Sequence, residues 1–143
     1  MNGSFATPDE AEQAFYDALA QGDLSALMRV WADDEDIACI HPGGVRVHGQ
    51  HAVCETWRDI LAKGPLMIQA SRTIVLPSML TVVHAVVERI RADTPRGPRQ
   101  VDCFATNVYH KGRSGWHMIL HHASPAPEQS SGDASNEPPG VLH

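Results

Sequence analysis

Apolar residues recur with a helical period through roughly the first sixty positions and with a strand period after them. Ala11, Ala14, Phe15, Ala18 and Leu19 fall on one face of a first helix. Ahead of that face, Thr7-Pro8-Asp9-Glu10 supplies a capping hydroxyl, a proline suited to the first helical position and a glutamate that completes a capping box. Gly22 stops the helix, and Asp23 can cap a second one with Leu24, Leu27, Met28 and Trp31 as its apolar positions. Asp33-Asp34-Glu35-Asp36 then reads as a solvated acidic turn. It lacks the spaced oxygen ligands and the glycine of a calcium loop. Short strands are predicted over Ile37–Ile40 and Val45–Val47, either side of the turn Pro42-Gly43-Gly44. Gln50–Ala62 is predicted as a third helix, with Val53, Trp57, Ile60 and Leu61 on one face and Lys63-Gly64-Pro65 as its stop.

From Leu66 onward β-branched residues dominate. Strands are predicted over Leu66–Leu76, Met79–Arg91, Arg99–His110 and Ser114–Ser124, with turns at Pro77-Ser78, Thr94–Pro98 and Lys111–Arg113. Short turns between long neighbours require an antiparallel meander. The layout is therefore α+β: three N-terminal or interspersed helices packed on a curved antiparallel sheet. In Val82–Ile90 both faces are largely apolar, Val83, Ala85 and Val87 on one and Val82, Val86 and Ile90 on the other. The helices can cover only one face, so a second copy over the outer face, a homodimer, is expected. From Pro125 to His143 proline, serine and glycine take over. This divides the chain into a domain of residues 1–124 and a tail of residues 125–143 expected to lack fixed structure.

Composition narrows the class further. A length of 143 residues suits one domain, and a net charge of -6 without a basic cluster argues against nucleic acid as a partner. The arginines between Arg89 and Arg99 are interrupted by Asp93 and by turn residues, as at a solvated hairpin tip. Met1–Thr7 has no signal-peptide pattern, and no apolar stretch approaches the roughly 20 residues that span a bilayer. Cys39, Cys54 and Cys103 are dispersed and form no Cys-x-x-Cys pair, which favours free thiols in a reducing compartment. A cytoplasmic protein without membrane partners is the expectation.

The candidate chemistry lies where polar residues break apolar strands. His41 ends the first strand, at the mouth of any pocket the sheet forms, and an unperturbed pKa near 6.5 suits it to proton transfer. His84 and Glu88 interrupt the Val82–Ile90 strand, Asn107 shares a face with Cys103 and Ala105, and His121 and His122 point to opposite faces. Buried, these groups need each other or a ligand as partners. Metal binding is not expected despite nine histidines. His117 and His121 are roughly 13 Å apart at strand rise, and His41 and His48 have no third ligand. The run His41-Pro42-Gly43-Gly44 is similar to cupin-like barrels, which the N-terminal helices do not fit. No nucleophile elbow, glycine-rich phosphate loop or Cys–His pair is present, so cofactor-free proton transfer on a small, partly apolar molecule is the chemistry expected.

A family resemblance rests on Gly22-Asp23-Leu24, Trp31-Ala32-Asp33-Asp34, Ile40-His41-Pro42-Gly43-Gly44, Gly49, Trp57, Asn107-Val108-Tyr109, Gly115-Trp116 and His121-His122-Ala123-Ser124. Through these, Pro8–Ser124 resembles the SnoaL-like, ketosteroid-isomerase-like members of the NTF2-like superfamily. The resemblance implies a curved sheet wrapped round a helix, a cone-shaped pocket and dimers through the outer sheet face. In the steroid isomerases of that family an aspartate before the hairpin proline is the general base, and His41 stands at that position. Their oxyanion-donating tyrosine on the first helix is matched here to Phe15, a departure from steroid isomerisation. The last strands are also similar to the association domain of calcium/calmodulin-dependent kinases, whose pocket arginines match Glu88, Asn107 and Ala123. The resemblance implies a small-molecule-binding domain of isomerase, dehydratase or cyclase type. His41 would be its base, His84, Glu88, Asn107 and His121 would orient the ligand, and Trp31 and Trp57 would wall the pocket. The alternative is a non-catalytic ligand-binding or oligomerisation domain.

Overall fold

The computed structural model describes residues 4–127. Helix α1 spans Pro8–Gln21 and begins as the capping residues dictate: Thr7 Oγ1 accepts from the Glu10 amide at 3.1 Å, and Gly22 closes the helix at φ 66°. Asp23 accepts from the Ala26 amide at 3.0 Å to start α2, Leu24–Val30. Strands β1 (Ala38–Ile40) and β2 (Arg46–His48) form the small hairpin, and α3 follows at Gln50–Leu61. Four longer strands complete the domain: β3 (Ile68–Pro77), β4 (Thr81–Thr94), β5 (Gly97–Gly112) and β6 (Gly115–Pro125).

The sheet order is β2-β1-β6-β5-β4-β3. The four long strands pair antiparallel, as their short turns require. The sheet as a whole is mixed, not antiparallel throughout, because β1 runs parallel to β6 with Cys39 opposite His121. The chain leaves α2 along β6: Trp31 bridges Met118 in parallel, and the Ala32 amide donates to the Met118 carbonyl at 2.9 Å. No tight turn links β1 to β6, so nothing in the local sequence imposes their relative direction. The β4–β5 hairpin is longer than its proline and glycine content suggests. Thr94 pairs with Gly97, leaving a two-residue turn at Pro95-Arg96.

Alternation along the strands sorts side chains between the two faces. Toward the helices β4 presents Val82, His84, Val86 and Glu88, β5 presents Cys103, Ala105, Asn107 and Tyr109, and β6 presents His121 and Ala123, all buried. They pack under Phe15 and Leu19 of α1, Leu27 of α2, and Val53 and Trp57 of α3. On the opposite face Val83, Ala85 and Val87 are only partly covered, and Ile74, Leu76 and Phe104 are exposed. Among the described residues the β-sheet thus meets a layer of helices on one side alone. At the far end, Pro125 still pairs with Cys103 and the Ala126 amide donates to Asp102 at 2.9 Å, so the ladder runs past the expected boundary at residue 124. Residues 128–143, the rest of the expected tail, lie outside the described residues.

The β5–β6 turn abuts the N-terminal segment at Gly115, whose φ is 104°. A Cβ there would sit 2.6 Å from the Phe5 carbonyl oxygen. Gly115→Ala should therefore destabilise the fold by about 2 kcal/mol in urea titration. Gly112→Ala, where a Cβ meets nothing within 4 Å, should leave the midpoint nearly unchanged.

Candidate functional site

The interior of the sheet holds a connected polar cluster that joins α1 to four strands. Glu12 of α1 is its hub. One carboxylate oxygen, Oε2, accepts from His84 Nδ1 at 2.8 Å, from the Tyr109 hydroxyl at 2.9 Å and from Asn107 Nδ2 at 3.3 Å. The other, Oε1, accepts from Arg72 Nε at 3.0 Å, and Arg72 also reaches Asp9 at 3.1 Å. One helical turn along, the Tyr16 hydroxyl donates to Glu88 Oε2 at 2.6 Å and accepts from Asn107 Nδ2 at 3.0 Å. Asn107 Oδ1 is a pure acceptor, so the 2.6 Å contact with His121 Nδ1 requires the proton on that nitrogen. His121 Nε2 is left facing Glu88 Oε2 at 4.0 Å.

These neighbours drive two carboxyl groups in one core apart. For Glu12, burial alone would raise the pKa. The His84 hydrogen bond and charge, then Arg72 and Asn107, more than offset it and hold the group at about 2. Glu88 goes the other way, to about 7: burial raises it, the Tyr16 hydrogen bond opposes, and the Glu12 charge adds to the rise. Tyr16 lies above its ordinary range through burial and then the Glu88 charge. His121 is held down to about 3 by burial, then by His41 and His122. At neutral pH the cluster therefore combines a fixed carboxylate, a carboxyl poised to exchange its proton and a neutral imidazole.

His41 stands at the rim of this interior, half-buried at the end of β1. Its ring meets Trp57 edge-on at 4.6 Å, and Trp57 in turn lies 5.7 Å from the His121 ring. Burial lowers its pKa, so it is neutral and able to accept a proton at pH 7. Its Nε2 is 3.7 Å from the Cys39 sulfur. Burial and then the Glu88 charge push the Cys39 thiol up to about 12, so this sulfur is a weak donor to His41 rather than a nucleophile. The Trp57 indole N–H makes no hydrogen bond of ordinary geometry, although it lies near enough to the Cys39 sulfur to favour its thiolate weakly.

The structure brings together His41, His84, Glu88, Asn107 and His121, which the strand pattern singled out, and Trp57 of α3, expected as a pocket wall. Of the adjacent pair, His121 faces inward and His122 is exposed on the outer face. Trp31 is not with them. It is buried against β6 and lines a separate cleft between α2 and α3. Four members of the cluster, Glu12, Tyr16, Arg72 and Tyr109, escaped sequence reasoning. Glu12 and Tyr16 are four residues apart and flank the apolar stripe of α1, and Tyr109 follows Asn107 on the same strand face. Phe15, the position matched to the family's helix tyrosine, is in the apolar core between Tyr16 and Trp57, and the neighbouring Tyr16 carries a hydroxyl into the cluster. The signal was available, since a glutamate and a tyrosine at i and i+4 beside an apolar face share its orientation.

These side chains hydrogen-bond and stack on one another. Depressions of about 690, 460, 300 and 250 Å³ mark the described surface. None of the four is lined by His41, Trp57, His84, Glu88, Asn107 or His121. The 300 Å³ depression, between α1 and β3, adjoins the cluster, with Glu12, Tyr16, Gln69 and Arg72 in its walls.

A curved six-stranded sheet with three helices on one face and an ionisable cluster between them defines an NTF2-like α+β domain. The model of the SnoaL-like domain matches residues 9–128, and the chain belongs to that family. It is similar to a structure from Thiobacillus denitrificans provisionally named a calcium/calmodulin-dependent protein kinase type II association domain. That match has 37% identity and TM-score 0.80, covering 88% of this chain and all of that one. A provisionally named dehydratase of the NTF2-like family from Streptomyces avermitilis is 26% identical with TM-score 0.73, over 84% of this chain and 99% of its own. The F-box protein SKIP8 of Arabidopsis thaliana is 28% identical over 115 residues, 77% of this chain and 46% of that protein. The chain thus spans about half the length of that curated relative. No described helix is long and apolar enough to cross a membrane.

The two carboxyl groups give stability a pH profile. Glu12 ionises more readily in the fold than at its ordinary 4.5, so its contribution is present above pH 4.5 and is lost as pH falls toward 2. Glu88 keeps its proton to about 7, so its contribution is present below 4.5 and is lost as pH rises through 7. Urea midpoints should fall at both ends of that range, by an amount on the order of 3 kcal/mol for each group. Glu88→Gln should flatten the decline between pH 5 and 8 and leave the acid limb in place.

Proposed function

We propose that this chain is a small-molecule-binding SnoaL-like domain that carries out cofactor-independent proton transfer of the isomerase, dehydratase or cyclase type. His41 is the general base, and the Tyr16–Glu88 pair is the proton donor. The observation that carries this reading is the buried run of hydrogen bonds from Glu12 through Asn107 and Tyr16 to Glu88, which sets two carboxyl groups of one core in opposite environments, Glu12 at about 2 and Glu88 at about 7. A group that titrates near neutrality is matched to acid–base work, and one held ionised sets the field around it. The Tyr16 hydroxyl, 2.6 Å from Glu88, gives its own proton to a carbonyl or hydroxyl oxygen of the bound molecule and takes the Glu88 proton in its place. His41 works from the rim, where its neutral ring and the Trp57 face suit an acidic C–H on a partly apolar molecule. His84, Asn107 and His121 orient Glu12 and Tyr16. Three free thiols suit a cytoplasmic setting.

Thermal-shift screening against steroids, polyketide-like aromatics and small hydroxy acids tests the reading. A ligand at 100 times its dissociation constant adds about 2.7 kcal/mol of stability. With the ligand in hand, His41→Ala and Glu88→Gln should each lower turnover about 10²- to 10⁴-fold while the fold is retained. Glu88→Gln should also remove the inflection near pH 7 from the rate profile. Unchanged turnover in His41→Ala removes it from the mechanism, and no stabilising ligand in any of the three classes overturns the catalytic reading.

A second reading is favoured by the outer sheet face. Ile74, Leu76 and Phe104 stand exposed there beside the partly covered Val83, Ala85 and Val87, an apolar stripe across three strands. Such a face suits a second copy of the chain, and the Thiobacillus denitrificans relative is named for association. Sedimentation at micromolar concentration should give a homodimer, and Phe104→Glu should shift it to monomer without loss of helix signal. A monomeric wild-type chain overturns this assembly.

A further inference from the structure

The cleft that takes Trp31 away from the interior cluster has the makings of a second site. It lies between α2 and α3 and encloses about 460 Å³, within the range of small-ligand pockets. Leu24, Met28 and Arg29 of α2 face Cys54 and Arg58 of α3, and Trp31 lines it between them. Trp31 is 1% exposed, yet its indole nitrogen is buried without a hydrogen-bond partner. A buried donor left unpaired costs free energy comparable to a lost hydrogen bond, so an acceptor that reached it through the cleft wall would be stabilising.

Two guanidinium groups supply the charge. Arg29 donates from one Nη to Ser25 Oγ at 3.1 Å. Arg58 donates from Nε to Glu55 at 3.0 Å and from an Nη to the Cys54 sulfur at 3.9 Å. Each guanidinium carries five N–H groups, so both keep donors beyond these contacts. Asp33 is the acidic residue in the cleft wall, and one of its oxygens already accepts from Gln50 at 3.1 Å. Arg29 and Arg58 stand with Asp33 and His117 in the cleft wall, and Glu55 pairs with Arg58, a balance that suits a single negative charge better than a phosphate dianion. Planar guanidinium groups favour a carboxylate, which accepts two parallel N–H bonds. Leu24 and Met28 provide an apolar bed for the remainder of the molecule.

We propose that the α2–α3 cleft binds a small carboxylate with an apolar body: its charge on Arg29 and Arg58, one acceptor atom on the Trp31 indole N–H, and its hydrocarbon portion on Leu24 and Met28. This site is separate from the interior cluster and does not depend on the catalytic reading.

Titration of the ¹⁵N-labelled full chain with 3-phenylpropanoate tests it through the indole N–H signals of the three tryptophans. The Trp31 signal is identified by its absence in Trp31→Phe or, if that variant does not fold, by eliminating the other two with Trp57→Phe and Trp116→Phe. The Trp31 signal should move in a saturable way. Replacing Arg29 and Arg58 together by Gln should weaken binding about tenfold or more, the change expected on losing one charged hydrogen bond. The neutral 3-phenylpropanamide should bind weaker by a similar factor. Glu88→Gln should leave the affinity unchanged. A Trp31 signal that stays fixed at millimolar ligand overturns the proposal, as does equal affinity for the amide. Loss of binding in Glu88→Gln also overturns it, because the ligand would then occupy the interior cluster.

Discussion

The Glu12 carboxylate holds the architecture together. A glutamate on a helix face turned toward a sheet is costly to bury, and here it is 5% exposed. Donors from three strands repay that cost: Arg72 on β3, His84 on β4, and Asn107 and Tyr109 on β5. The same bonds set where α1 sits along the sheet and how it is rotated, since a shift of one residue would present Gln13 or Ala11 to those donors. Hydrophobic packing of Phe15 and Leu19 drives α1 onto the sheet. The charged contact selects one docked position among the many that packing alone would tolerate.

That choice propagates to the rest of the interior. With Glu12 in place, Tyr16 falls one turn further along and reaches Glu88, and Asn107 is held between Glu12, Tyr16 and His121. A permanently ionised Glu12 then makes a second charge nearby unfavourable, one of the reasons Glu88 retains its proton to about 7. The asymmetry of the two carboxyl groups is a product of fold geometry, as their chemistry is identical. The proposed proton transfer rests on that asymmetry.

The sheet also separates roles by face. Its concave side is consumed by helices and by the polar cluster, and its convex side keeps Ile74, Leu76 and Phe104 in solvent. Relatives named for dehydration and for association are both compatible with one domain, because the two activities would draw on opposite sides of the same strands. The α2–α3 cleft belongs to neither side. It lies where the chain leaves α2 along β6, with Trp31 between α2 and α3.

Local chemistry made much of this legible from residues alone. Capping at Thr7 and Asp23, the stop at Gly22 and the alternation of β4 to β6 depend only on near neighbours, and they mark the elements and which strand positions face inward. That is why His84, Glu88, Asn107 and His121 could be picked out as interior polar groups, and why the uncovered outer face was foreseeable. The parallel pairing of β1 with β6 was not, because it joins segments some eighty residues apart with no turn to dictate direction. Glu12 and Tyr16 were missed for a related reason. An amphipathic pattern identifies the apolar stripe of a helix, but whether a polar residue at its margin turns inward depends on partners waiting on other strands. Residue types and spacings determined that a polar interior exists. Tertiary contacts decided which carboxyl group is ionised, which keeps its proton, and that Trp31 serves a different cleft.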